Sequence, residues 1–162
     1  MADFVNWLDA TSVSHTMRNI TWLWPMCESL HFMGLCLLLG GAGFLDLRLM
    51  GFMRAIPVTT ARAFMPWAIA GFAVNLVTGT LFFVMAPGMY AFSPAWWTKV
   101  AFILIAGLNA MIFETTQGAR ALALRPGEAT PLTFKLIGGV SLLSWLVVLY
   151  VGRMLPYIGT GN

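Results

Sequence analysis

The chain has 162 residues, of which 59% are hydrophobic and only 9% are charged, and its mean hydropathy is +0.82. A soluble domain usually has about 25% charged residues, so the composition excludes an ordinary water-soluble protein and indicates one embedded in lipid. The net charge of +3 comes from residues near the ends of hydrophobic segments. We interpret it as an orientation signal and expect no nucleic-acid partner. The length suits one membrane domain over residues 1–162.

Residues 2–17 come before the first long hydrophobic stretch and are predicted to form a short interfacial helix. On a helix, Phe4, Val5 and Leu8 fall on one side, and the acidic residues of this segment tend to the other. An amphipathic helix of this kind lies at the surface of a bilayer rather than across it. The lipid bilayer is therefore the first predicted partner of the chain.

Four hydrophobic segments reach the length of about 20 residues that a bilayer span requires, at least approximately. They comprise residues 20–49, 64–85, 95–113 and 132–151. Breaks rich in proline and glycine, such as APGMYAFSP and RPGEATP, separate the later segments. Because short loops favour antiparallel neighbours, we predict an all-α integral membrane protein with four transmembrane helices in an up-and-down bundle.

Lys and Arg residues are distributed unequally between the two sides of this bundle. Three of the nine fall on one side: Arg18, Lys99 and Arg153. The six on the other side are Arg48, Arg54, Arg62, Arg120, Arg125 and Lys135. Because loops rich in Lys and Arg stay in the cytoplasm, we predict that the first and third loops are cytoplasmic and that both termini lie outside.

Two ionisable residues lie inside the first predicted span, in the segment WPMCESLHFMG. Charged groups in hydrocarbon are expensive unless they have a partner or a function. Glu28 and His31 are spaced i, i+3 and share a helix face, so Glu28 is expected to orient the imidazole. Gly34, one turn further on, either lets a helix approach closely or leaves room for a flat ring such as a porphyrin.

These residues predict a site for haem b, in which His31 is an axial ligand and Glu28 and Gly34 complete the binding surface. Haem b iron usually takes a second histidine or a methionine, and His15 is the only other histidine. His15 could reach the iron only if residues 2–17 fold back. Otherwise a methionine or another copy of the chain would supply the sixth ligand. A homo-oligomer, a dimer or trimer, is therefore expected.

Copper is the alternative occupant of the same region. It accepts imidazole and soft sulfur ligands, and the sequence offers His31, His15, Cys27 and Met26. A third possibility is that Glu28 and His31 only bond each other or water. The residues alone leave these alternatives open.

Charged residues also close the first and third spans at the predicted cytoplasmic side. Asp46 and Arg48 are two residues apart and do not face each other on a helix. We therefore expect Asp46 or Glu114 to pair with Arg48 or Arg62. The simplest interpretation is a structural ion-pair network, with proton relay as the alternative.

Most of residues 22–114 carries an ordered set of short motifs: S-L-H-x-x-G, D-L-R-L, P-W-x-x-x-G-F, T-G and L-N. This set resembles a family of small four-span bacterial inner-membrane proteins of unknown function. Many members have a histidine after L-N-x-x-x-F, where this chain has Glu114. The resemblance implies a multi-pass protein of the bacterial inner membrane, and the charge count then places both termini in the periplasm.

The resulting prediction is a membrane-embedded haem b, or copper, protein that transfers electrons, as in a membrane oxidoreductase. The alternatives are a non-catalytic accessory or assembly subunit and a small transporter or channel whose polar residues face a pore. The sequence contains no phosphate-binding loop, dinucleotide fingerprint or HExxH motif. It does not identify the electron donor or acceptor.

Reporter fusions test the predicted orientation. Fusions at residues 56 and 127, in the first and third loops, should report from the cytoplasm, because these loops carry most of the Lys and Arg residues. A periplasmic signal from either loop would show that the orientation is reversed or that a span is missing.

Overall fold

The computed structural model describes residues 2–158, without the side chains of Pro156 and Ile158. The helices of this part are α1 (Ala2–Asp9), α2 (Ser12–Asn19), α3 (Leu23–Met50), α4 (Val58–Arg62), α5 (Met65–Met85), α6 (Pro87–Ala91), α7 (Pro94–Thr116), α8 (Gly118–Leu122) and α9 (Leu132–Ile158). Four stretches are long and apolar enough to cross a membrane: Leu23–Met50, Val58–Met85, Pro94–Thr116 and Leu132–Leu155. The prediction of an all-α four-helix membrane bundle is thus confirmed.

Local sequence signals explain where the long helices begin and end. Ser93 caps α7, and its hydroxyl accepts a hydrogen bond from the backbone N–H of Trp96 at 3.4 Å. Proline at the first turn of α5 and α7 costs no helical hydrogen bond. Gly51 ends α3 with a positive φ of 92°, a conformation that favours glycine. The helix ends therefore agree closely with the predicted spans, except that α9 continues beyond residue 151.

The long helices pack in the spatial order α5, α3, α9, α7, so the first span occupies an inner position. Helix α3 packs against α5 on one side and α9 on the other, and α7 packs against α9. Although α5 and α7 follow each other in the chain, they do not pack along one another. This arrangement leaves a lengthwise cleft between α5 and α7, with residues of α3 and α9 at its base.

Glycines permit the close approach of α3 to both neighbours. A Cβ added at Gly71 would lie 2.5 Å from the carbonyl oxygen of Gly34, and one at Gly41 would lie 2.7 Å from the carbonyl oxygen of Phe64. On the other side, a Cβ at Gly138 would lie 2.7 Å from the carbonyl oxygen of Asp46. These glycines therefore serve helix packing within one chain.

The N-terminal segment forms two short helices rather than the predicted single one. Thr11 separates them and caps α2, because its hydroxyl accepts from the N–H of Ser14 at 3.3 Å. Both helices fold back on the end of the bundle, where α1 contacts α5 and α6 and α2 contacts α5. An ion pair of 2.6 Å between Asp9 and Arg18 joins the two helices. Val5 and Leu8, on the predicted apolar side, are buried.

The contact between α3 and α5 predicts different outcomes for two adjacent substitutions. Gly41→Ala should destabilise the bundle by about 1–3 kcal/mol, since overpacking forces the helices apart. Gly40→Ala is the matched control, because no atom lies within 4 Å of its Cβ position. It should be neutral, or stabilising by up to about 1 kcal/mol through helix propensity. Equal unfolding temperatures of the two variants in mild detergent would contradict the contact.

Candidate functional site

Two ends of the bundle are distinguished by their side chains. The upper end carries Trp24, Tyr90 and Trp96, and the lower end carries Arg48 and Arg62. Aromatic rings are typical of a membrane interface, and clustered arginines are typical of a cytoplasmic one. The candidate ligand residues of the first span lie toward the upper end.

Three cavities accompany this arrangement of helices. The upper cleft, of about 540 Å³, lies between α5 and α7 and includes His31, Asn75 and Lys99 in its lining. The lower cleft, of about 580 Å³, lies between the same helices and includes Asp46 and Asn109. The upper pocket, of about 360 Å³, lies beside the upper cleft and is bounded by residues of α3, α5, α6, α7 and α9.

His31 is held by α5 rather than by its own helix. Its Nδ1 lies 2.7 Å from the hydroxyl oxygen of Thr78. The Thr78 hydroxyl donates its one proton to the carbonyl oxygen of Val74, also at 2.7 Å. With that proton on Val74, the Thr78 oxygen accepts from His31, so a proton on Nδ1 is the tautomer that we expect. The hydrogen-bond partner of the imidazole in the described residues is Thr78 rather than Glu28.

The opposite side of the imidazole has more space. Nε2 of His31 has no hydrogen-bond partner among the residues that the structure describes. A Cβ at Gly79 would lie 3.8 Å from Cε1 of the ring, and the Phe82 ring packs at 5.6 Å in an edge arrangement. His31 also lines both the upper cleft and the upper pocket. The ring is thus fixed on one side and able to bind on the other.

Glu28 lines the upper pocket together with Tyr90 and Arg153. Burial raises the pKa of the Tyr90 phenol, and the charge of Glu28 raises this pKa further. Tyr90 is therefore a neutral hydrogen-bond donor at physiological pH. Glu28 belongs to a polar pocket near the aromatic end, and the structure shows no direct bond between it and the imidazole.

Lys99 is a cationic residue that a ligand in the upper cleft or the upper pocket can reach. It lines both the upper cleft and the upper pocket. Its Nζ lies 5.9 Å from the centroid of the Trp96 ring, a distance at which a cation is attracted to the aromatic face. Within residues 2–158 it forms no ion pair with a carboxylate. An anionic group in the cavity would supply the missing partner.

Gly34 does not face open space. A Cβ there would lie 2.8 Å from Oδ1 of Asn75 and 2.9 Å from the carbonyl oxygen of Gly71. Of the two alternatives for this glycine, the structure supports the close approach of α5. Gly34 therefore contributes to the site only indirectly, by letting α5 carry Thr78 to His31.

The residues proposed as copper ligands do not converge within one chain. His15 is exposed on α2, Cys27 is 2% exposed and Met26 is 41% exposed. In the described part of the chain, no three His, Cys, Asp or Glu side chains form a group suited to a metal ion. The copper set of His31, His15, Cys27 and Met26 therefore stays a prediction, without support from a group of ligands in the described residues.

One of the ion pairs predicted at the lower end is present in the structure. Arg62 donates to Oε2 of Glu114 at 2.5 Å, which confirms a pair between these residues. Arg48 instead donates to the carbonyl oxygen of Ile56 at 2.5 Å and to the Thr130 hydroxyl at 3.4 Å. Asp46 has no ion-pair partner in the described residues.

Sequence reasoning missed Thr78 and Lys99 as members of the site. Thr78 lies 47 positions from His31, and its contact with the imidazole depends on the helix order. Lys99 had a signal of its own, since a lysine within an apolar helix is costly and marks a function by default. Its position within Pro94–Thr116 could have identified it.

Nitrogen NMR of isotope-labelled histidine tests the His31–Thr78 contact. The wild-type protein should show a neutral imidazole that is protonated at Nδ1, because Thr78 is fixed as the acceptor. Thr78→Val should lose this tautomer preference, and Thr78→Ser should keep it. His15→Gln assigns the second histidine signal.

An unchanged tautomer in Thr78→Val would show that another group orients the ring.

The comparisons with known proteins leave the site to be interpreted from its geometry. The chain matches no protein-family model, no curated protein and no solved structure. The motif resemblance over residues 22–114 therefore remains a prediction, and the contacts of His31 and Lys99 carry the functional interpretation.

Proposed function

We propose that this chain is a membrane-embedded haem b protein with a redox role, and that His31 is an axial ligand to the iron. The hydrogen bond from Nδ1 of His31 to Thr78, at 2.7 Å, is the observation that supports it most directly. Because the proton sits on Nδ1, Nε2 keeps the lone pair that a metal requires. Metal-binding histidines typically donate their other ring N–H in this way.

The upper cleft supports this proposal through its size and lining. Its volume of about 540 Å³ falls within the usual range for cofactor sites, about 300–1,000 Å³. Aromatic side chains from three helices line it: Phe72 and Phe83 of α5, Trp96 of α7 and Trp145 of α9. A flat apolar ring would replace lipid or empty space against these walls. The haem would supply a one-electron change between ferric and ferrous iron.

The positive charge of Lys99 also supports haem b as the occupant of the upper cleft. Haem b carries two propionate groups, which need a cationic or aqueous environment. The ammonium of Lys99 lines the cleft near the aromatic end and has no carboxylate partner within the described residues. A propionate would complete this pair, which is otherwise a costly unpaired cation within a membrane span.

The lining of the upper cleft contributes one iron ligand. Among its described residues there is no second histidine, and no methionine or cysteine. The ferric protein is therefore expected to be high-spin, with its sixth position open to water or a small ligand. A low-spin spectrum would mean that another copy of the chain, or an added molecule, supplies the sixth ligand.

The cellular setting is part of the proposal. We place the protein in the bacterial inner membrane with periplasmic termini, so that the upper end faces the periplasm. A homo-oligomer, a dimer or trimer, remains a prediction, and the mass of the complex in mild detergent tests it. Gly34, Gly41 and Gly138 give no support to an oligomer, because they pack within one chain.

The alternatives have less support from the geometry. A copper site lacks a group of convergent ligands in residues 2–158. A channel would need a continuous polar path, but Leu38, Phe72, Ile103 and Trp145 line both clefts and separate them. An accessory subunit without chemistry predicts no bound chromophore, and this outcome is part of the following test.

Absorption spectra of the purified protein, expressed with ample haem, test the proposal. The wild type should show a Soret band and sharpened visible bands on reduction. His31→Gln should lose most of the haem with the bundle still folded, because Nε2 is the only proposed iron ligand. Thr78→Val should lower haem affinity about 10–100-fold, the usual effect of losing a partner of a ligating histidine.

His15→Gln is the matched control, because His15 is exposed on α2 and does not line the upper cleft. It should bind haem as the wild type does. A wild-type protein without haem under these conditions would rule out the proposal and favour an accessory subunit.

A further inference from the structure

We infer that the lower cleft is a separate binding site for a lipid-soluble hydroquinone, one of whose phenolic hydroxyl groups donates a hydrogen bond to Asp46. This inference goes beyond the proposed haem site and does not depend on it. It starts from a buried carboxylate oxygen that has no protein partner.

Asp46 is 5% exposed and lines the lower cleft. Its Oδ2 is buried and makes no hydrogen bond with any residue between positions 2 and 158. A buried acceptor without a donor costs about 1–3 kcal/mol, and a charged one costs more. The carboxylate therefore favours an occupant of the cleft that brings a hydrogen-bond donor.

The nearby cations do not serve this carboxylate. Arg62 is engaged with Glu114 at 2.5 Å, and Arg48 donates to the carbonyl oxygen of Ile56. Asp46 and Arg48 lie two positions apart on α3, so they point in different directions. The donor to Asp46 must therefore enter the cleft from outside the described residues.

Asn109 offers a second acceptor in the cleft. Its side-chain amide donates one N–H to the carbonyl oxygen of Ile137 at 3.0 Å, and its Oδ1 remains an acceptor. Asp46 and Asn109 lie on two different helices that line the cleft, and their acceptors suit a molecule with two hydroxyl groups.

The rest of the cleft is apolar and partly aromatic. Phe72 and Trp145 lie at its upper boundary, with ring centroids 6.1 Å apart, and Phe113 lines it further down. Such walls suit a flat ring, and the acceptors of the lower cleft suit hydroxyl groups on that ring. The volume of about 580 Å³ accommodates a substituted ring.

The cleft opens toward the lipid. Ile69 of α5 and Met111 of α7 line it and are 65% and 58% exposed, respectively. Because α5 and α7 do not pack along each other, an apolar tail can leave between them. An acyl chain of a phospholipid would fill the space but would bring no donor to Asp46. A hydroquinone with an apolar tail satisfies both requirements.

Binding of tetramethylhydroquinone to haem-free protein in detergent, measured by calorimetry without oxygen, tests this inference. Its dimethyl ether is the matched ligand, with similar shape but no hydroxyl donor. The hydroquinone should bind about 10–100-fold more tightly than the ether, as expected for a hydrogen bond to a buried acceptor that otherwise has no donor. Equal affinities would overturn the inference without any substitution in the protein.

Two variants locate the site. Asp46→Leu should lower hydroquinone affinity to that of the ether, whereas His31→Gln should leave it unchanged, since His31 does not line the lower cleft. Unchanged binding by a folded Asp46→Leu protein would overturn the inference. Absence of hydroquinone binding together with a dimeric mass would also overturn it and would favour a second copy of the chain in the cleft.

The haem proposal and this inference can fail independently. A protein that binds hydroquinone but never haem would support the lower cleft alone. A protein with a His31-dependent Soret band but no hydroquinone binding would retain the haem site and exclude this inference.

Discussion

The backbone contact between α3 and α5 is the constraint on which the rest of the structure depends. Gly34 and Gly71 let the two helices approach so closely that a single added methyl group at Gly71 would lie 2.5 Å from a carbonyl oxygen. The same approach brings the Thr78 hydroxyl to 2.7 Å from Nδ1 of His31. In hydrocarbon, where water cannot satisfy either group, this contact decides both the packing of the bundle and the chemistry available to the imidazole.

The inner position of α3 also explains the two clefts. The side of α3 that faces away from α5 packs against α9 at Gly138, and α9 in turn packs against α7. Helices α5 and α7 are therefore left facing each other across a gap that their own side chains do not fill. Polar groups that lack partners among the described residues lie along this gap: the Asn75 amide and the Lys99 ammonium above, and Oδ2 of Asp46 below. The unusual helix order and the unsatisfied groups thus have one common origin.

The sequence was sufficient for much of the fold, because hydrophobic length, proline and glycine act locally. The four spans and the pair between Arg62 and Glu114 follow from composition and position. The partners of His31 and Asp46 could not be predicted, because they depend on which helices become neighbours. Spacing along α3 suggested Glu28 for His31, but a side chain from α5 lies closer. Likewise, the sequence left two interpretations of Gly34, and the position of α5 distinguishes them.

The spatial order of the helices has a consequence for how the chain assembles in the membrane. Helices α3 and α5 are consecutive long helices and can pair as soon as both have been inserted. Helix α7 is made next, but its main partner is α9, which is synthesised after it. During translation α7 must therefore remain in lipid until α9 arrives and joins it to α3. Helix α9 then packs between two parts of the bundle that were made before it.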